Sequence, residues 1–459
     1  MFSKSIGKMV VKTSAICARF DAITFNSIRK VLPDRVILAA CKDSGHHYRC
    51  RLISPVLTIL HMVVAALWPE ESFNAGWQLL WSAFTSNYPS LAGSCPSRAT
   101  VAKARKRLTF AVWKKVTSWI CQQSQRYSEC LDTWRGHRVV LVDGTCLTLP
   151  DEPQLHENFP PPNGNHGYGR YPLVRLVCLS LAQTMTVINY RIGRYRQDEN
   201  DLLKPMLKML RKGDLLVADR HFAGANLYWT YMSNGLEYLT RAHQKLKIAR
   251  LKPLRNHSKN DFVTNLKIGE SYRRKNPQLP ESIAVRCICA AVCVRGKRKD
   301  IWLVTSLLDT IQYPAEEIAE RYLQRWRIET LLRQFKVDTG SDQLRSKSVA
   351  AIRKEIAARI CAVNIVRMII LEAAKENNVD PLRISFVSSI RIIIAYAPAL
   401  GLRPPEQLPM IYHAMLKEIA SHLVPQRMGR IEPRGITHEP KHYPRLSMTR
   451  QQWRKLYAA

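Results

Sequence analysis

None of the 12 cysteines stands in a CxxC pair, so the spacing that builds structural zinc modules is missing. Their scatter from Cys17 to Cys361 fits thiols kept reduced in a cytoplasm rather than a disulfide framework, and Cys287, Cys289 and Cys293 read as residues of an apolar strand. Long apolar runs are missing too. The most apolar stretch, residues 52–68, is 17 residues long and contains Ser54, Pro55, Thr58 and His61. It is short for a bilayer span and reads as a buried helix, so no membrane partner is expected. The N-terminus lacks the apolar core of a secretory signal. Lys4, Lys8, Lys12 and Arg19 imitate a transit peptide, with a surface helix as the plainer reading. Glycine and proline, at 19 and 25 of 459 residues, are too few for a collagen-like or wholly disordered chain.

Acid is the scarce charge. Asp and Glu number 36 against 70 Lys and Arg, a net charge of +34 that points to a polyanionic partner. The excess is spread: residues 1–140 carry 20 basic against 7 acidic side chains, residues 241–300 carry 16 against 4, and residues 421–459 carry 8 against 2. Three basic regions interleaved with apolar residues fit a folded protein touching a long polyanion at several places.

Residues 1 to about 125 read as helical. Within them, 95–108 (CPSRATVAKARKRL) looks like a helix start, with Ser97 as N-cap and Lys103, Arg105, Lys106 and Arg107 following. It is either a helix-turn-helix type reader of DNA or a solvated basic helix. The texture changes at 138. Strand-like runs at 138–150, 174–181, 186–193, 214–219 and 237–242, with a helical pattern at 198–210, indicate an α/β domain. The stretch 245–312 is basic with β-like segments at 284–294 and 300–307, and reads as an insertion before a helical segment from 314 to 335. Helical patterning resumes from 345 to about 420, and Pro425, Pro433, Pro440 and Pro444 mark an extended tail.

The segment 322–336 (YLQRWRIETLLRQFK) carries the most chemistry. As one continuous helix turning about 100° per residue, it places Tyr322, Arg325, Glu329, Arg333 and Lys336 within a sector of about 80°. Ile328, Leu331, Leu332 and Phe335 form an apolar stripe for packing. An acid among cations can hold a metal ion while its neighbours grip phosphate, or it can make an ordinary surface ion pair with Arg325. Two aspartates sharpen the choice. Asp143 and Asp219 each follow an apolar strand-like run, VVLV and LLVA, and are expected at the C-terminal ends of two strands, where α/β sites form. Three carboxylates make a hard-oxygen set suited to Mg²⁺ or Mn²⁺.

Tyr322, Arg325, Glu329 and Lys336 match in full the Tyr-x₂-Arg-x₃-Glu-x₆-Lys signature of the DDE transposases of the insertion sequence 4 family, and VDGT (142–145) and ADRHF (218–222) resemble that family's aspartate segments. The resemblance spans about 138 to 370. It implies an α/β fold: an RNase H-like catalytic domain with a β-rich insertion, flanked by helical N- and C-terminal regions. The corresponding division is 1–130, 131–244, 245–312, 313–375 and 376–459. It implies Asp143, Asp219 and Glu329 as catalytic ligands of two Mg²⁺ or Mn²⁺ ions. Tyr322, Arg325, Arg333 and Lys336 would then contact DNA near the cleaved end, and Lys103, Arg105 and Arg107 would read the element's ends. Trp302 resembles the insertion tryptophan on which an extruded base stacks, a core aromatic of the strand DIWLV being the alternative. The implied protein is a bacterial, nucleoid-associated cut-and-paste transposase acting on double-stranded DNA as a homodimer or higher assembly. An RNase H-like nuclease without strand transfer, and a DNA-binding protein descended from a transposase, are the alternatives.

Overall fold

The computed structural model describes residues 26–425 and residues 448, 452, 455 and 456, leaving aside 50–52, 69–71, 88–92, 94, 130, 132, 165–166, 169–170, 295–296 and 403–404. The transit-like segment and most of the proline-rich tail therefore lie outside the described residues. Helix α1 (Pro55–Leu67) is buried over all its 13 residues, as the apolar run predicts. Ser54 caps it by accepting the Leu57 N–H at 3.1 Å, and Pro55 supplies a first residue that needs no N–H partner. Among the described residues no helix is long and apolar enough to cross a membrane. Helices α2 (Arg98–Arg107) and α3 (Phe110–Tyr127) follow, with Ser97 capping α2 as expected.

The large sheet then begins as a meander. Strands β1 (Val139–Thr148), β2 (Leu173–Leu181) and β3 (Val187–Arg194) pair antiparallel. Helix α4 (Glu199–Leu207) crosses to β4 (Leu215–Ala218), which runs parallel to β1, and helix α5 (Ala225–Ser233) crosses to β5 (Glu237–Arg241), parallel to β4. The order β3-β2-β1-β4-β5, antiparallel then parallel, is the RNase H-like arrangement. The insertion supplies β6 (Pro253–Ser258), β7 (Asp261–Lys267), β8 (Ser282–Val294) and β9 (Lys297–Thr305). Strand β9 pairs with β5, so the insertion continues the large sheet to nine strands instead of standing apart. Its last strand, β6, is exposed throughout, and its register against β7 shifts twice.

Alternation along the strands divides the core. Val139, Leu141, Val217, Leu239 and Leu303 face one apolar cluster, shared with α1, α3, helices α6 (Ala315–Leu323) and α7 (Trp326–Arg333), and the 28-residue central helix α8 (Val349–Glu376). Val140, Val142, Leu216, Ala218 and Val304 face a second cluster covered by α4 and α5. The central helix is apolar enough to be buried along most of its length, yet it carries Lys354, Glu355, Arg359, Asn364 and Arg367 inside. Each meets a polar group of a neighbouring segment, as burial demands. Asn364, for example, holds both backbone groups of Val187 on β3, at 2.8 and 2.7 Å.

Candidate active site

Strands β1 and β4 pair as far as Leu141 and Val217. Two residues further along the same parallel register, Asp143 stands level with Asp219. Adjacent strands are about 4.8 Å apart, so the two carboxylates are neighbours. Asp219 directly follows β4, as the sequence predicts. Asp143 does not end its strand: β1 continues to Thr148, paired with β2. The change from VVLV to DGTC marks where the strand loses cover on its faces, not where it stops. Asp143 alternates onto the face of Val139 and Leu141, where the Glu329 helix packs. Its Oδ1 accepts the Gly144 N–H at 2.8 Å, and Asp219 Oδ1 accepts the His221 N–H at 2.8 Å.

The expected single helix over 322–336 is two helices and a π turn. Helix α6 ends at Leu323, and through Arg325, Arg327 and Ile328 each N–H bonds three residues back, which tightens the chain before α7 proceeds. Tyr322 is buried at 5% exposure, next to Arg325 and within the field of Asp219. Arg325 is buried too; its Nη1 donates to Glu329 Oε1 at 2.5 Å, while its Nε has no partner. The π turn (Gln334–Asp338) carries Lys336, which pairs with Asp342 at 3.1 Å. Buried Arg367 holds this turn by donating to Gln334, and Arg359 donates to the Thr339 carbonyl just beyond it. Arg333 is exposed.

Burial is the main cause that pushes the Asp143 carboxyl up to about 7, with the Gly144 N–H opposing it and the charges of Asp219 and Glu329 adding to it. The three acids therefore share one electrostatic environment. Asp143 binds its proton more tightly folded than unfolded, so the metal-free protein loses stability as pH rises from about 4 to about 7 and keeps it below. Asp143→Asn is accordingly expected to exceed wild type by about 2–4 kcal/mol at pH 8 and to match it near pH 4, checked by thermal melts in EDTA. Among the described residues no three acid, histidine or cysteine side chains converge closely enough to hold an ion as they stand. Glu329 is engaged by Arg325. Carboxylates from a strand, a strand end and a helix still fit Mg²⁺ or Mn²⁺ in donor type, and Glu329 would have to leave Arg325 to reach an ion.

Two expected DNA contacts stand elsewhere. Arg105 does not face solvent with Lys103, Lys106 and Arg107; its guanidinium lies 3.7 Å above the Phe73 ring. Burial lowers its pKa, opposed by Glu355. Trp302 alternates onto the face opposite Asp143, half-buried edge-to-face on Phe262 at 5.8 Å, which is the core-aromatic alternative. Sequence reasoning missed Trp326, an exposed ring 4.8 Å from the Arg325 guanidinium, and the first turn of α4. There Glu199 pairs with Arg175 of β2 at 2.6 Å and lies against Gly144. Nothing in the local sequence signals this, because its partners are far along the chain.

The family described as transposase DDE domain matches residues 134–365, a span holding all three acids. The transposase InsG for insertion sequence element IS4 of Escherichia coli (strain K12) is 24% identical over 316 residues, which cover 68% of this chain and 70% of InsG. The putative transposase InsZ of the same organism is 27% identical over 146 residues, 30% of this chain and 47% of InsZ. Among solved structures, the cryo-EM structure of a piggyBac transposase synaptic complex with hairpin DNA aligns at TM-score 0.43 and 11% identity, over 88% of this chain and 86% of that one. With a matched domain spanning half its length, an RNase H-like sheet and the full Tyr-Arg-Glu-Lys signature, the chain belongs to the insertion sequence 4 family of DDE transposases.

Proposed function

We propose that this transposase binds the ends of its own DNA element, cleaves the DNA there and joins the freed 3′ ends to target DNA by metal-dependent phosphoryl transfer. The observation that carries this reading is the placement of Asp143 and Asp219 level on adjacent parallel strands, on the sheet side where Glu329 packs. Asp143, Asp219 and Glu329 would hold one or two Mg²⁺ or Mn²⁺ ions, which supply an activated oxygen nucleophile and charge stabilisation at the leaving oxygen. Arg325, bonded to Glu329 through Nη1, is suited to reach the scissile phosphate when Glu329 turns to a metal, and Lys336 and Arg333 to hold the flanking backbone. Incubating the protein with its element's ends and Mg²⁺, then mapping breaks and joints, tests the reading. Joined 3′ ends support it, nicks without joints indicate a nuclease, and intact DNA indicates a binding protein.

Binding through phosphates predicts a steep loss of affinity with salt. Lys103 and Arg107 on the outer face of α2, and Lys245, Lys247, Arg250, Lys252, Arg255 and Lys259 in the insertion, are all exposed. Lys103→Ala and Arg107→Ala are each expected to lower the slope of log K against log salt by about one. Arg105→Ala should instead lower the melting temperature and leave the slope alone, because its side chain packs on Phe73. Fluorescence anisotropy on end DNA across a salt series, with parallel melts, checks both. We further propose a homodimer or higher assembly on DNA, which mass photometry with and without end DNA measures.

A further inference from the structure

We infer that the first turn of α4, residues 198–200, is a clamp that fixes the separation of the two catalytic aspartates, with Glu199 as its positioning residue. This rests on the site assignment above. The paired register between β1 and β4 extends no further than Leu141 and Val217, two residues short of Asp143 and Asp219. The turn bridges that interval. Asp198 alone has an ordinary explanation, since its Oδ1 caps the helix by accepting the Asn200 N–H at 2.8 Å. Capping explains neither of the turn's outward contacts.

One contact reaches the strand of Asp143. The Glu199 carboxylate, held by Arg175 at 2.6 Å, lies so close to Gly144 that a Cβ there would stand 2.5 Å from its Cδ and 2.6 and 2.8 Å from its oxygens. It is seated on the backbone of the residue whose N–H Asp143 accepts. The other contact reaches the turn of Asp219. Asn200 Nδ2 donates to the His221 carbonyl at 3.1 Å, and the His221 ring lies 3.3 Å from Asp198 Oδ1. His221 is also the residue whose N–H Asp219 accepts. One helical turn thus holds the neighbours of both aspartates, and Arg175 ties it to β2. Glycine at 144 leaves the room this seat requires.

The test measures first-strand cleavage, end-DNA binding and melting temperature. Misplacing a reacting group by about 1 Å costs about 100-fold in rate. Glu199→Ala is therefore expected to lower kcat about 10- to 100-fold, with KM for end DNA and melting temperature near wild type. Glu199→Gln keeps the shape and an oxygen for Arg175, and should recover most of that rate. Gly144→Ala fills the seat and should lower kcat comparably. In the double variant Gly144→Ala/Glu199→Ala the losses should not multiply, because both remove the same contact. Wild-type kcat in Glu199→Ala overturns the clamp, as does a double variant whose loss is the product of the single losses. Asp143→Asn run alongside separates the two levels: if it cuts normally, the site assignment itself fails, whereas a dead Asp143→Asn beside a fully active Glu199→Ala removes the clamp alone.

Discussion

Asp143→Asn, Asp219→Asn and Glu329→Gln are each expected to lower strand cleavage by about three orders of magnitude or more, equivalent to about 4 kcal/mol of barrier. End-DNA binding should survive in all three. The reason lies in the charges: each substitution removes a negative group from an acid cluster that has Arg325 bonded beside it, so attraction to phosphate rises as catalysis falls. Glu329→Gln should show this most, because it also loosens the 2.5 Å bond that occupies Arg325. Denaturing gels report cleavage and mobility shifts report binding on the same DNA. Any one variant that cuts at the wild-type rate takes its residue out of the site.

Arg286→Ala is expected to cost about 3–5 kcal/mol of stability, the usual result of breaking one side of a buried ion pair. The Arg286 side chain, in β8, is 1% exposed; its Nε and Nη2 donate to the two oxygens of Asp261 at 2.8 and 2.5 Å, and its Nη1 donates to the Tyr313 carbonyl at 2.7 Å. Truncation strands the Asp261 carboxylate and the carbonyl just before helix α6. The double replacement Arg286→Met/Asp261→Leu removes both charges and should recover much of the loss, since apolar substitutes for a buried pair are often neutral. Thermal or urea denaturation measures both variants. A melting curve for Arg286→Ala that overlays wild type would show the insertion to be anchored by its strand ladder alone.

The strands were legible because VVLV and LLVA, and the stretches 176–179 and 287–290, are apolar on both faces, and buried strands of this sort announce themselves. The Glu329 helix was legible from its spacing. Its break before Arg325 was not, because hydrophobic periodicity tolerates a turn tightened by one residue and then widened by a π turn: the stripe Ile328, Leu331, Leu332 and Phe335 stays buried either way. Arg105 misled for a related reason. A cation between Val101, Ala104 and Leu108 counts as basic in the sequence, and only the Phe73 ring, about 30 residues upstream, shows that it faces inward. The face of Trp302 depends on the register of β9 against β5, which no local pattern encodes. Nothing in the helical pattern at 198–210 singles out Glu199, since its meaning comes from Arg175 and Gly144.

Extending the catalytic sheet to nine strands moves its open edge away from the site and onto β6. An open edge is a template for another chain. Strand β6 is a poor template: it opens with Pro253, its register slips at two places, and Arg255 and the adjacent Lys252 and Lys259 repel a second copy presenting the same charges. At the opposite edge, Asn364 occupies the backbone groups of Val187. A second copy laid beside β6 would thus find little to pair with along it.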